Sequence, residues 1–304
     1  MVTLATYEDL FVAMLEAAER KGISISDASP PLRRMCVANG LRLHFMDWGG
    51  SHLPPMLLLH GALLQAHLWD FFSLEMRQQF HIHALDLPGH GDSQWTADGN
   101  YSRPRVAAAV ARLIEELDLK SLVLVGHSFG GSLGALVAAR LAERVRSLVM
   151  VDSTLLPTGR PGVRARAAGG PPAFATFDDF ARHAAGLGGR QRDPARLSSS
   201  LRWNARQMED GSWTWKYDPA LRRTSLGPSD FEDVWSALAV FPHPVLFVRA
   251  GDHSHLSEAA AERLRSLPNV RLEVVPDATH NIMSDNPPGF RGAIAGFLAN
   301  LSDA

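Results

Sequence analysis

The chain has 304 residues, 46% of them hydrophobic and 20% charged, a balance that supplies a sizeable core and excludes a disordered or fibrous polymer. Lysine and arginine (30 together) nearly offset aspartate and glutamate (32), and the formal charge of −2 leaves no global field to draw the chain to nucleic acid. The single cysteine, Cys36, excludes an internal disulfide and a cysteine-based zinc cluster.

Residues 7–20 set Leu10, Phe11, Met14, Leu15 and Ala18 at helical spacing, with Gly22 as a stop. This predicts an amphipathic helix within an N-terminal extension, 1–30, that either packs on its own domain or serves a homo-oligomer. Acids inside its apolar stretch distinguish it from a secretory leader, and no apolar run of about 18 residues follows, so a cytoplasmic protein without a membrane span is expected. From there, short apolar runs at 41–48, 56–59, 82–86, 122–125, 148–152, 245–250 and 272–275 read as strands. Helix-like spacing occupies 105–117, 129–140, 258–267 and 289–301. Strands alternating with helices imply an α/β fold, a mostly parallel central sheet flanked by helices.

The interval between the strand ending near 152 and the one starting near 245 is too long for a simple connection. It holds Gly/Pro-rich pieces at 157–161 and 169–172, a helix pattern at 177–185, a local density of arginine from Arg160 to Arg206, and Trp203, Trp213, Trp215 and Tyr217. It reads as a cap, 155–239, inserted into a core formed by 31–154 and 240–304. Such a cap would lie over the carboxyl ends of the strands, where open α/β sheets bind ligands.

Val123-Leu124-Val125-Gly126-His127-Ser128-Phe129-Gly130-Gly131 is a strand feeding a G-x-S-x-G turn that feeds a helix. The glycines let the chain turn sharply and lift the Ser128 hydroxyl off the strand end, the placement a nucleophile needs. A serine hydroxyl requires a base, and His280 stands between the last strand and the last helix, late in the chain. Leu57-Leu58-Leu59-His60-Gly61-Ala62 supplies a second turn. The backbone N–H groups of Ala62 and Phe129 are the natural oxyanion donors, and His60 reads as structural.

Together with Asp86-Leu87-Pro88-Gly89-His90-Gly91-Asp92-Ser93, these motifs follow one another in the order found in the α/β-hydrolase family, which the chain resembles over roughly 35–300. The resemblance implies an α/β-hydrolase fold and a structural role for the Asp86–Ser93 loop. It also exposes a departure: relatives carry the triad acid at the position held here by Ser254. Asp152, which resembles an alternative acid site at the end of the strand after the nucleophile helix, is favoured over Asp252, two residues before Ser254. Asp277 reads as a turn residue.

The expected activity is hydrolysis of a carboxylic ester or lactone through an acyl-enzyme on Ser128, with no cofactor and no metal. The partner is a small apolar or aromatic molecule, bound near Leu63, Trp203 and Trp213. Carbon–carbon bond hydrolysis of a diketone-type substrate or cofactor-free perhydrolysis would use the same groups. A non-catalytic ligand receptor is the alternative of another class, and the missing acid at the usual position is its support.

Overall fold

The computed structural model describes residues 6–156, 172–186, 201–223 and 228–301. The 157–161 piece, most of 169–172 and most of the arginines between Arg160 and Arg206 fall outside them. Eight strands form one sheet in the order β1-β2-β4-β3-β5-β6-β9-β10. They are β1 (Leu32–Ala38), β2 (Leu41–Asp47), β3 (Pro55–Leu59), β4 (His81–Leu85), β5 (Leu122–His127), β6 (Val145–Val151), β9 (Val245–Ala250) and β10 (Val270–Val275). β1 and β2 run antiparallel to their neighbours and the remaining pairs are parallel. Every residue of β5 is buried, as its unbroken apolar run dictates for a strand covered on both faces.

Side chains alternate across the sheet, so each strand feeds two cores. On one face Leu57, Leu122 and Leu124 pack against helices α3 (Arg103–Glu116), α4 (Phe129–Arg140) and α6 (Pro228–Val240). On the other, Leu58, Val123 and Val125 pack against α1 (Tyr7–Arg20), α2 (Asp70–Met76) and α9 (Pro287–Ala299). The N-terminal helix therefore belongs to the core. Thr6 and Asp9 form a reciprocal capping box at its start, Phe11, Met14 and Ala18 are buried, and Lys21 Nζ donates to the Ser284 carbonyl at 2.7 Å. The helix α6 also differs from its expected place in the cap: Val234, Trp235 and Leu238 point into the same core as α4. Helices α7 (Glu258–Arg265) and α8 (Ile282–Asp285) complete the wrapping. No helix among the described residues is long and apolar enough to cross a membrane.

Between β6 and α6 lies a small unit of helix α5 (Phe177–Ala185) and a hairpin of β7 (Ala205–Gln207) and β8 (Trp213–Trp215). It has its own cluster, in which Phe177, Phe180 and Ala205 are buried against Trp213 and Trp215. Main-chain bonds strap it to the Asp86–Ser93 loop: Gly91 N–H donates to the Lys216 carbonyl and Asp218 N–H to that of Gly89. Lys216 also pairs with Asp92 at 2.8 Å, and the Tyr101 hydroxyl donates to Asp218.

Candidate active site

The turn after β5 holds Ser128 at φ 52°, ψ −115°, a left-handed conformation that costs a non-glycine residue roughly 1–3 kcal/mol. Its N–H donates to the Val151 carbonyl at 2.8 Å, and its own carbonyl accepts the Gly131 N–H at 3.1 Å, so both flanks of the strained residue are fixed. The glycines of the motif are demanded by close approach. A Cβ on Gly126 would stand 2.2 Å from the Gly130 carbonyl oxygen, and one on Gly130 would stand 2.4 Å from that of Leu59. The helix that follows the serine can thus lie against the end of β3.

The end of β3 brings the second turn to the same place. A Cβ on Gly61 would come within 3.3 Å of Ser128 Cβ, so the His-Gly turn abuts the elbow directly. Ala62 follows at that turn, and no hydrogen bond within the described residues engages its N–H. Phe129 follows Ser128 directly and opens α4. His60 is fully buried and structural, accepting the Leu87 N–H at Nε2 (3.0 Å) while Nδ1–H donates to the Gly61 carbonyl (2.7 Å). Burial lowers its pKa and keeps it neutral, as that pattern requires. His90 Nε2 accepts the N–H of Leu63, which sits at φ 63°.

His280 lies in the loop between β10 and α8, and its Nδ1 is 2.8 Å from Asp152 Oδ2. Asp152 is fully buried and accepts four hydrogen bonds: His280 and the His255 N–H (3.0 Å) at Oδ2, the Ser254 hydroxyl (2.5 Å) and the Ala250 N–H (3.2 Å) at Oδ1. Burial pushes its pKa up, but the His280, Ser254 and His255 bonds pull it down to about 2. An ionised Asp152 forces His280 to carry its proton on Nδ1, leaving Nε2 with the lone pair of a general base. Asp252 is exposed and takes part only through its N–H, which donates to the Ala278 carbonyl. The structure thus joins Asp152, not Asp252, to the histidine. Ser254 turns its hydroxyl onto the Asp152 carboxylate.

Two further histidines flank the pair. His255 stacks on His280 with ring centroids 3.6 Å apart, and His127 Nε2–H donates to the His280 carbonyl at 2.8 Å. Burial, and then the proximity of His280, pushes His127 down to about 3, so it stays neutral. His127 is the variable position of the G-x-S-x-G motif and His255 closes the run His253-Ser254-His255, but neither local pattern encodes the contact with His280.

Asp86 is structural, its carboxylate taken up by His44 and by the N–H groups of Ala66 and Asp92. Asp277 occupies a turn at φ 55°. The tryptophans expected to line a pocket are engaged elsewhere: Trp213 packs on Phe177 in the cap's own cluster, and Trp203 stacks on His67 at 3.8 Å with an edge against Tyr7.

Residues 56–293 match the profile of the Alpha/beta hydrolase family. The esterase Rv0045c of Mycobacterium tuberculosis is 30% identical over 302 residues, spanning 95% of this chain and 96% of that one. N-formylmaleamate deformylase of Pseudomonas putida is 29% identical over 86% of this chain and 94% of its own length. A crystal structure of the M. tuberculosis esterase superposes with a TM-score of 0.79, at 28% identity and over 97% of this chain and 99% of that one. The strained elbow, the abutting His-Gly turn and the carboxylate-bound histidine are borne on a chain that belongs to the alpha/beta hydrolase family.

Proposed function

We propose that this hydrolase is a serine esterase cleaving a carboxylic ester or lactone of a small apolar or aromatic molecule through an acyl-enzyme on Ser128. The observation that carries the reading is the 2.8 Å bond between His280 Nδ1 and a buried, ionised Asp152, beside a serine held on a strained elbow. His280 Nε2 takes the hydroxyl proton as Ser128 Oγ attacks the carbonyl carbon. The N–H groups of Ala62 and Phe129 receive the negative charge that develops on the carbonyl oxygen. Protonated His280, steadied by Asp152, returns its proton to the departing alkoxide. The same nitrogen then takes a proton from a water, which attacks the acyl carbonyl, and passes that proton to Ser128 Oγ as the acyl–oxygen bond breaks and the acid leaves.

Leu63, next to Ala62 and partly buried against the core, is the side chain best placed to meet the acyl group. Trp203 and Trp213 act at one remove, by fixing the cap. The chain's similarity to an esterase over nearly its full length favours an ester. Carbon–carbon bond hydrolysis of a diketone-type substrate would use the same groups and is the second reading. A receptor without turnover loses its main support once the histidine has a carboxylate partner. The deciding experiment is intact-mass spectrometry after a fluorophosphonate, alongside hydrolysis of a short-chain aryl ester. One adduct on the wild type, absent from Ser128→Ala, together with turnover of the ester, is the expected result; a folded wild type that neither labels nor turns over ester overturns the reading.

A further inference from the structure

At the opposite rim of the sheet from Ser128 lies a second group of ligating side chains. Ser128 follows the carboxyl end of β5, whereas His81 and His83 are at the amino end of β4, which runs in the same direction. Two residues apart on a strand, the two imidazoles project from one face, and their rings are 4.1 Å apart. Asp47, the cross-strand partner of His83 in β2, adds a carboxylate, with Oδ1 2.9 Å from His81 Nε2. One nitrogen from each imidazole and one Asp47 oxygen all lie within 4.8 Å of one another.

His83 is 4% exposed, and its Nδ1 is buried without a hydrogen-bond partner. A buried imidazole nitrogen left empty is an energetic cost that a bound group would remove. The three residues also line a cavity of about 530 Å³, so solvent ligands have room. Its other charged groups are Arg34, Asp118 and Lys120. Lys120 and Asp118 pair with each other at 2.8 Å, and Arg34, which holds Asp47 Oδ2 at 2.6 Å, is 52% exposed and free to turn outward. The other two such groups among the described residues differ: Asp152, His255 and His280 form the candidate active site, while Asp92 of the His44, Asp86 and Asp92 set is paired with Arg33 and Lys216.

We infer that Asp47, His81 and His83 form a binding site for a borderline divalent transition-metal ion, of which Zn²⁺ is the representative. Two nitrogens and one carboxylate oxygen suit Zn²⁺, Co²⁺, Ni²⁺ or Cu²⁺ better than Mg²⁺ or Ca²⁺, which prefer all-oxygen cages. Ligands about 2.1 Å from a tetrahedral Zn²⁺ are about 3.4 Å apart, so side-chain rotations of an ångström or so close the site around the ion. Binding replaces the proton between His81 and Asp47, which leaves to solvent, and water fills the open coordination position.

The test uses the full chain, stripped with a chelator and dialysed against Zn²⁺, with bound metal counted and the Co²⁺ form followed by its visible absorption. The wild type is expected to hold a Zn²⁺ equivalent that His83→Phe lacks and that His255→Ala and His280→Ala retain. Phenylalanine keeps the ring that packs on Phe45, and thermal melting checks that the variant folds. If His83→Phe fails to fold, His81→Gln and Asp47→Asn take its place and are each expected to lose the equivalent. A wild type that binds no Zn²⁺, or an ion released only by the His255 or His280 substitution, overturns the inference.

Discussion

Asp152→Asn probes the arrangement at its most informative point. The carboxylate accepts two donors at each oxygen: His280 and the His255 N–H at one, the Ser254 hydroxyl and the Ala250 N–H at the other. An asparagine offers one acceptor and one donor, so its NH2 must face two donors whichever way it turns. Turned towards His280, it would donate to Nδ1 and drive the ring's proton onto Nε2, the atom that must accept the serine proton. Turned away, it meets the Ala250 N–H and forfeits the charge that steadies the imidazolium. A neutral partner of this kind lowers kcat by about 10⁴, equivalent to about 5.5 kcal/mol of barrier. Buried donors left unmatched remove a further 2–4 kcal/mol or so of folding stability. Stopped-flow hydrolysis of an aryl ester reads the first quantity and urea denaturation the second, and Asp252→Asn is expected to match the wild type in both. Asp152→Asn retaining more than a tenth of wild-type kcat, or Asp252→Asn losing as much, would refute the assignment.

Other perturbations test other contacts. Gly61→Ala places a methyl 2.7 Å from His127 Nδ1 and 3.3 Å from Ser128 Cβ; because His127 is tied to the His280 carbonyl, kcat/KM should fall about 100-fold in a folded protein, read from progress curves and melting. His127 is held at about 3 against about 6.5 in the unfolded chain, so its contribution to stability is complete above pH 6.5 and is lost as pH falls, by up to about 1.4 kcal/mol per unit. Urea titrations between pH 7 and 4.5 should therefore show a shallower decline for His127→Gln than for wild type, and equal slopes would count against a neutral His127. Trp203→Ala removes ring contacts with His67 and Tyr7, which should cost about 2 kcal/mol by urea midpoint and raise KM for an aryl ester more than it lowers kcat.

The elbow and the late histidine were legible because each is a local pattern: strand, tight turn and helix for Ser128, strand, loop and helix for His280. Helices at Tyr7–Arg20, Phe129–Arg140 and Phe177–Ala185 and the strand Val245–Ala250 matched their sequence-predicted limits for the same reason. β1 escaped notice because an edge strand that is mostly exposed lacks both an apolar run and clean alternation. Helix α6 was divided from the core because its burial against α4 depends on a partner far earlier in the chain. The choice between Asp152 and Asp252 stayed open in the sequence for a related reason. The aim of Asp152 is set by donors from the loop after β9, roughly a hundred positions away, and nothing near either aspartate encodes that meeting. Asp47, His81 and His83 are likewise united only by strand pairing.

Asp152 lies just before the chain departs for the cap, and what fixes its carboxylate comes from the side. The pairing of Leu148 through Val151 with Val245 through Val248, the N–H of Ala250 and the loop of Ser254 and His255 all belong to the strand next door. The contacts that hold the Asp152–His280 pair thus come from outside the segment between Leu155 and Pro228. On the proposed mechanism that separation has an evolutionary consequence: the segment between those two points could change in length and shape while the carboxylate–histidine pair keeps its alignment.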